Sequence, residues 1–129
     1  MTADEAIFKV DVVRPNQYTT QQKLDWLNDL DGKVFNEVIL THKVRPSSPE
    51  EEPAEQTYTE HTSGSDELLI PSPYAGDVYM FYLISQIDLY NGEVSRYNQS
   101  ITLFNNAYTA YQDWYNRGNM PISKGRFLF

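Results

Sequence analysis

The chain has 129 residues, no cysteine, and 18 acidic against 10 basic residues, for a formal net charge of −8. This length suits one domain with a modest core. The missing cysteines exclude disulfides and thiolate chemistry, and the acidic balance disfavours general binding to nucleic-acid phosphates. No apolar run approaches the roughly 20 residues of a membrane span, and the first residues lack a secretory signal pattern. We therefore expect a soluble protein that is made and used without export.

Residues 3–13 open the chain with acidic and apolar side chains in mixed order. The apolar positions are Ala6, Ile7, Val10, Val12 and Val13. Ala6, Ile7, Val10 and Val13 fit a short helix, whereas Ile7, Val10, Val12 and Val13 fit a strand, because periodicity does not separate the two in so short a segment. Helix is our prediction. Pro15 restricts the backbone of Arg14 and so ends the element.

A second helix is predicted to start near Thr19. Thr19 and Gln22 are spaced as a capping box, in which each side chain bonds the backbone N–H of the other residue. Apolar residues then recur at helical spacing: Leu24, Leu27, Leu30, Val34 and Val38, flanked by Trp26, Phe35 and Ile39. We expect one helix to about His42, with a break at Gly32 as the alternative.

Residues 44–67 differ in composition from the rest of the chain. They hold seven acidic residues, four serines and three prolines against a single basic residue, Arg45. Such a segment buries too little apolar area to offset the entropy of ordering it. We expect a solvated acidic loop that the fold does not need. A hairpin or an arm packed on a neighbouring molecule is the alternative.

A third helix is predicted over residues 77–90, after Ser72 as N-cap and Pro73 at the first helical position. It is apolar nearly all round, so it must be buried on several sides. Either it is the central helix of a bundle, or a second subunit covers its outer face. The second reading makes four residues candidates for a subunit contact: Val78, Phe81, Tyr82 and Leu89.

A fourth helix is predicted over residues 93–117. Its stripe of apolar and aromatic residues has spacings of three and four, which places them on one face: Val94, Tyr97, Ile101, Phe104, Tyr108, Tyr111 and Tyr115. We interpret this stripe as core and subunit contact. Asn91-Gly92 predicts a tight corner that folds the two helices into a hairpin; one long kinked helix is the alternative.

The C-terminal tail is basic and ends in three apolar residues. No acidic residue follows Asp113, and the last eight residues include Lys124, Arg126, Phe127, Leu128 and Phe129. A basic, aromatic terminus is typical of a docking peptide, so we assign these five residues to partner binding. The alternative is a strand or cap that folds back on its own domain.

No sequence motif for chemistry is present. The two histidines, His42 and His61, have no second ligand at metal spacing, and nucleotide-binding and nucleophile motifs are missing. Glu50, Glu51 and Glu52 form an acidic run of the kind that is usually solvated. We therefore predict no catalytic, cofactor-binding or metal-binding residue and no enzymatic activity.

Several stretches together resemble a known family. They are RPNQYT, KLDWLNDLDG, ELLIPSPYAGDVYMFYL, IDLYNG and EVSRYNQSITLFNNAYTAYQDWYNR, which lie between Arg14 and Arg117, and the resemblance covers roughly residues 14–121. In their order and spacing they resemble the small helical head–tail connector (adaptor or neck) proteins of tailed bacteriophages. These are helix-packing patterns, not catalytic signatures. The sequence departs from the family in the unusual acidity of its 44–67 loop.

The resemblance implies an all-α bundle with an extended C-terminal tail and a structural role in the virion. Connectors assemble as a ring, commonly a dodecamer, between the portal protein and the next ring of the tail. They extend the channel through which the DNA passes. From the acidic charge of this chain, and not from the resemblance, we expect the DNA to pass without specific binding. By this resemblance, Lys124–Phe129 dock on the portal and the helix 77–90 lies near subunit contacts. The alternative function is a free-standing binding module, such as an assembly chaperone or an inhibitor of a host protein.

Overall fold

The computed structural model describes residues 1–39 and 59–118 and shows an all-α bundle over these ranges. Its α-helices are α1 (Ala3–Val13), α2 (Thr20–Val34), α3 (Tyr74–Tyr90) and α4 (Val94–Gly118), and one π-helical turn, Phe35–Ile39, continues α2. The predicted fold class is confirmed. The acidic residues 44–58 and the tail 119–129 lie outside the described residues.

α1 is a helix, as predicted, and the strand alternative is wrong. Thr2 caps it, with the Thr2 hydroxyl accepting from the Glu5 N–H and the Glu5 carboxylate accepting from the Thr2 N–H. Helical spacing buries one face of α1 completely or nearly so: Ala3, Ala6, Ile7 and Val10. Val13, which was assigned to the same face, is exposed at the last residue of the helix. That face packs against α2 and α3.

α2 begins at the predicted capping box. The Thr19 hydroxyl accepts from the Gln22 N–H at 3.1 Å, and the Gln22 side chain accepts from the Thr19 N–H at 2.9 Å. The helix passes through Gly32 without the alternative break and changes to the π-helical turn after Val34. The predicted extension to His42 lies outside the described residues.

The segment 59–70, which we call the strap, corrects the expectation of a solvated loop over 44–67. Its backbone is bonded to the start of α1: Asp4 N–H donates to Gly64 O at 2.8 Å, and Ala3 N–H donates to Asp66 O at 3.1 Å. His61, Leu68 and Ile70 are buried. Composition failed here because the strap gains its order from contacts distant in sequence.

The predicted cap of α3 is wrong in detail. The helix starts at Tyr74 with Pro73 in the cap position, and no side chain bonds the first turn. Instead, the N–H groups of Tyr74 and Ala75 both donate to the carbonyl oxygen of Pro71 at 3.1 Å. Backbone thus supplies the acceptor that Ser72 was expected to provide.

α3 is the central helix, packed against α1, α2 and α4. Nine of its residues are buried, on nearly every side of the helix: Ala75, Val78, Tyr79, Tyr82, Leu83, Ile84, Ser85, Ile87 and Asp88. Of the two explanations for its apolar sequence, enclosure within the chain's own bundle is therefore sufficient.

α3 and α4 form the predicted hairpin, and a single kinked helix is wrong. Gly92 takes φ 75°, a left-handed conformation that glycine adopts without a Cβ clash. Across the hairpin, Tyr82 lies against Phe104 with ring centroids 5.3 Å apart, and Tyr74 lies 5.4 Å from Trp114.

The predicted stripe of α4 is buried mainly at its centre. Phe104 and Tyr111 are buried, whereas Tyr97, Ile101, Tyr108 and Tyr115 are partly exposed. Val94 is 69% exposed, so its assignment to the buried stripe is wrong. It is the first residue of α4, directly after the corner.

We expect Phe104→Ala to destabilise the chain by about 3–5 kcal/mol, because it removes a buried aromatic ring from the contact between α3 and α4. Asn105→Ala is the matched control on the exposed face and should change stability by less than about 0.5 kcal/mol. Chemical denaturation of both variants measures the difference. Equal effects would contradict the assignment of the buried face.

Candidate functional site

A buried carboxylate, Asp31, holds three segments together. Its Oδ1 accepts from the Tyr79 hydroxyl at 2.5 Å. Its Oδ2 lies 2.7 Å from His61 Nε2 and accepts from the Leu69 N–H at 3.1 Å. These bonds tie α2 to α3 and to the strap, and both oxygens of Asp31 are occupied.

Further hydrogen bonds complete this Asp31 cluster. The Tyr79 hydroxyl accepts from the Ile70 N–H at 2.8 Å. The Asn28 side chain bonds both backbone groups of His61, donating to its carbonyl at 2.9 Å and accepting from its N–H at 2.7 Å. The strap is therefore fixed at His61 and again at Leu69 and Ile70.

Burial dominates the electrostatics of the cluster. It raises the pKa of Asp31 above its ordinary value, while the hydrogen bonds from Tyr79, His61 and Leu69 act in the opposite direction. Burial and the adjacent Asp31 carboxylate also raise the pKa of Tyr79 well above its usual range. Tyr79 thus keeps its proton and remains a hydrogen-bond donor to Asp31.

A second buried carboxylate, Asp88, joins α3 to α4 and to the end of α1. The Ser100 hydroxyl donates to Asp88 Oδ2 at 2.8 Å, and Arg14 Nε lies 3.4 Å from Asp88 Oδ1. Arg14 Nη2 donates to Asp88 Oδ2 at 3.5 Å, whereas Nε is buried without a hydrogen-bond partner. The Asp88 carbonyl also accepts from the Glu93 N–H at 2.9 Å, across the corner.

The RPNQYT segment meets the YNG corner at this end of the bundle. The Asn91 side-chain oxygen accepts from the Tyr18 hydroxyl at 2.8 Å and from Gln17 Nε2 at 3.2 Å. Trp26 lies between two tyrosines, edge-on to Tyr18 at 5.3 Å and stacked on Tyr90 at 5.5 Å. Two of the stretches that carry the family resemblance are thus direct structural partners.

The tyrosines of α4 combine buried rings with hydroxyls near its edges. Tyr111 stacks on Tyr108 at 6.4 Å, and the Tyr108 hydroxyl donates to Glu37 at 3.2 Å. Burial raises the pKa of Tyr111 to about 12, and it raises that of Tyr82 to about 12 as well. These phenols are neutral packing groups at physiological pH.

These arrangements are suited to holding helices in place. His61 and Asp31 form the pairing found in acid–base sites, and here Asp31 and its other side-chain partner, Tyr79, are both fully buried. Within residues 1–39 and 59–118, no group of three or more His, Cys, Asp or Glu side chains is arranged to hold a metal. Among the same residues, no helix is long and apolar enough to cross a membrane.

The predicted contact residues do not form one surface. Val78 and Tyr82 are buried in the core, Phe81 is half-buried and Leu89 is exposed. The proposed docking residues Lys124, Arg126, Phe127, Leu128 and Phe129 lie outside the described residues. Their assignments stay predictions.

Sequence reasoning missed Asp31, His61 and Asp88. The sequence pattern could have identified two of them. Asp31 is in helical phase with the apolar positions Leu27 and Val34, and Asp88 lies between the apolar residues Ile87 and Leu89 of α3. An acid on a buried face requires a partner. No sequence pattern indicates that His61 is buried, because the strap has the composition of a loop.

Comparisons of the chain with protein-family models, curated proteins and solved structures give no match.

We expect Asp31→Asn to destabilise the chain by about 2–4 kcal/mol, because it leaves one of three buried donors without its acceptor. Asp29→Asn, on the exposed side of the same helix, is the matched control and should change stability by less than about 0.5 kcal/mol. Thermal and denaturant unfolding measure both. An Asp31→Asn variant as stable as the control would show that the cluster does not anchor the strap.

The raised pKa values of Tyr82 and Tyr111 predict a late phase in an alkaline titration of the folded chain, at about pH 12 instead of near 10.0. The folded state favours the neutral phenol, so this contribution to stability is complete below pH 10 and is lost as the pH rises to about 12.

Tyr111→Phe should reduce the late tyrosinate absorbance and make the loss of stability shallower. With Tyr90→Phe, at an exposed position, the late phase should persist. Ionisation of all tyrosines in one step near pH 10 would contradict this.

Proposed function

We propose that this chain is a structural subunit of a tailed-bacteriophage virion, a head–tail connector that forms a ring below the portal and extends the DNA channel. The motif resemblance over residues 14–121 supports this assignment. Two of its stretches, RPNQYT and IDLYNG, are bonded to each other through Gln17, Tyr18 and Asn91, as expected if they belong to one packing pattern.

The single observation that carries the proposal is the exposed apolar surface on two separate helices. The bundle already has a filled core, yet large apolar side chains remain in solvent on both α1 and α4, among them Phe8, Val12, Val13, Val94, Leu103 and Trp114. Exposed apolar surface of this kind marks protein–protein contacts. A ring subunit needs two such surfaces, one for each neighbour.

The buried clusters support an assembly role in a second way. Asp31 and Asp88 fix the strap, α2 and α4 to the central helix, so the two exposed surfaces are held in a defined relation. Interfaces on rigid elements lose little entropy when they form. A net charge of −8 also suits a channel wall, because an acidic wall does not bind the phosphates of passing DNA.

The roles of individual residues follow from exposure and composition. Phe81 and Leu89 keep accessible surface for a subunit contact, whereas Val78 and Tyr82 contribute through the core. Lys124–Phe129 are the portal-docking residues in this proposal, with the next neck ring as the second partner. Their basic and apolar character is unlike the rest of this acidic chain.

The direct test of function is the protein content of purified virions. Mass spectrometry should detect this chain in particles at a constant copy number, and labelling in electron micrographs should place it at the neck. A chain that is abundant in infected cells and missing from purified particles would contradict the proposal and favour an assembly chaperone.

Deleting residues 122–129 should leave the subunit folded and prevent its incorporation into particles. Most of the affinity is expected from Phe127 and Phe129, at about 1.5–3 kcal/mol for each fully buried ring, while Lys124 and Arg126 set orientation on an acidic surface. Circular dichroism and melting of the isolated chain check the fold, and virion composition checks docking.

A control separates the two chemical features of the tail. Phe127→Ala with Phe129→Ala should reproduce the deletion, and Lys124→Gln with Arg126→Gln should weaken docking less. Infectious tailed particles that contain the truncated chain would show that residues 122–129 are not the docking element.

A further inference from the structure

One side of α4, separate from its buried stripe, has a second row of residues at helical spacing. Leu103, Ala107, Ala110 and Trp114 follow one another at intervals of four, three and four, and Arg117 continues the row. We call these five residues the α4 flank. Leu103 is 46% and Trp114 40% exposed, and Ala110 and Arg117 are exposed as well. Two small alanine side chains lie between the larger Leu103 and Trp114 in this row.

The outer face of α1 carries a complementary row. Glu5, Phe8 and Val12 are spaced by three and four, so they share one side of the helix. We call these three residues the α1 ridge. Phe8 is 70% and Val12 67% exposed, and Glu5 is fully exposed with a pKa that its bonds to Thr2 hold below the ordinary value. The ridge therefore presents a carboxylate followed by two bare apolar side chains.

The two rows match when their helices run antiparallel. The spacing of Glu5, Phe8 and Val12 is repeated, in reverse chain order, by Arg117, Trp114 and Ala110. Both helices rise by about 1.5 Å per residue. An antiparallel alignment that pairs Glu5 with Arg117 therefore also places Phe8 against the Trp114 ring. It also places Val12 over Ala110, where the small side chain leaves room for a branched one.

Within one chain the two surfaces do not meet. α1 is packed on α2 and α3 through the face opposite the ridge, which is fully buried at Ala3, Ala6 and Val10. The ridge consequently points away from the bundle that carries the flank. Among residues 1–39 and 59–118, no segment covers either surface at Phe8, Val12, Leu103 or Trp114, and a second copy supplies a partner for each.

We propose that the α1 ridge of one copy docks on the α4 flank of the next, so that the chain assembles head to tail. This inference rests on the proposed function and names the contact between neighbouring ring subunits. Because ridge and flank are different surfaces, the contact is heterologous: each subunit donates one surface and accepts the other. Repetition of such a contact closes into a ring when the rotation allows.

Engineered disulfides test the contact directly, since the chain has no native cysteine. Val12→Cys and Ala110→Cys leave Phe8, Trp114 and both charges in place. The two single variants, purified at full length and mixed under mild oxidation with glutathione disulfide, should form a mixed disulfide dimer. The chain carrying both substitutions should form a ladder of covalent oligomers.

Asn105→Cys, exposed on the other side of α4, is the matched control and should not cross-link to Val12→Cys. Equal cross-linking by the control, or no dimer above its level, would overturn the proposal. So would a predominant disulfide between two copies of Ala110→Cys, because that product requires a symmetric contact of flank with flank.

Association measured by sedimentation gives an independent check. Phe8→Ala, at an exposed position that folding does not need, should weaken self-association by about tenfold or more, and Arg117→Glu should weaken it most at low salt. Unchanged association in Phe8→Ala would contradict the contact. If the purified chain forms the head-to-tail cross-link but is missing from virions, only the connector function is refuted. If virions contain the chain but the cross-link does not form, only the proposed contact is refuted.

Discussion

The apolar surface of α3 is the constraint on which the rest of the structure depends. A helix that is apolar on nearly every side has to be enclosed, and in this chain α1, α2 and α4 all pack against it. Each of these helices therefore needs one apolar face toward α3 and has its remaining surface left for other purposes. The strap follows from the same constraint, because its residues Leu68 and Ile70 close the core near the start of α3.

Local signals in the sequence were sufficient to predict the helices. The capping box at Thr19 and Gln22, the Asn91-Gly92 corner and the helical spacing around Phe104 each involve residues close in the chain, and the structure confirms all three. The strap was not predicted, because its partners at the start of α1 are about 60 residues away in sequence. The cap of α3 was wrong for a local reason: the carbonyl oxygen of Pro71, and not the Ser72 side chain, accepts from the first turn.

The candidate sites were harder to predict than the fold. His61 was expected in a solvated loop and is instead bonded to Asp31, 30 residues away in sequence. No short-range pattern encodes that pairing, although an acid in phase with Leu27 and Val34 indicates that some partner must exist. The exposed apolar residues of α1 were not predictable from the sequence either. The spacing of its apolar residues predicts the buried face, but it does not indicate that Phe8 and Val12 remain in solvent.

Tyr79 and Asp88 fix the rotation and the axial position of α3 among its neighbours. They are nine residues apart, so at about 100° per residue they project from opposite sides of the helix, about 13.5 Å apart along its axis. An evenly apolar cylinder has little preference for one rotation or one axial position among its neighbours. Two polar attachments on opposite sides remove both freedoms, since neither turning nor sliding α3 preserves the two sets of hydrogen bonds. Alternative packings of the same apolar surface then each leave a buried carboxylate without a partner.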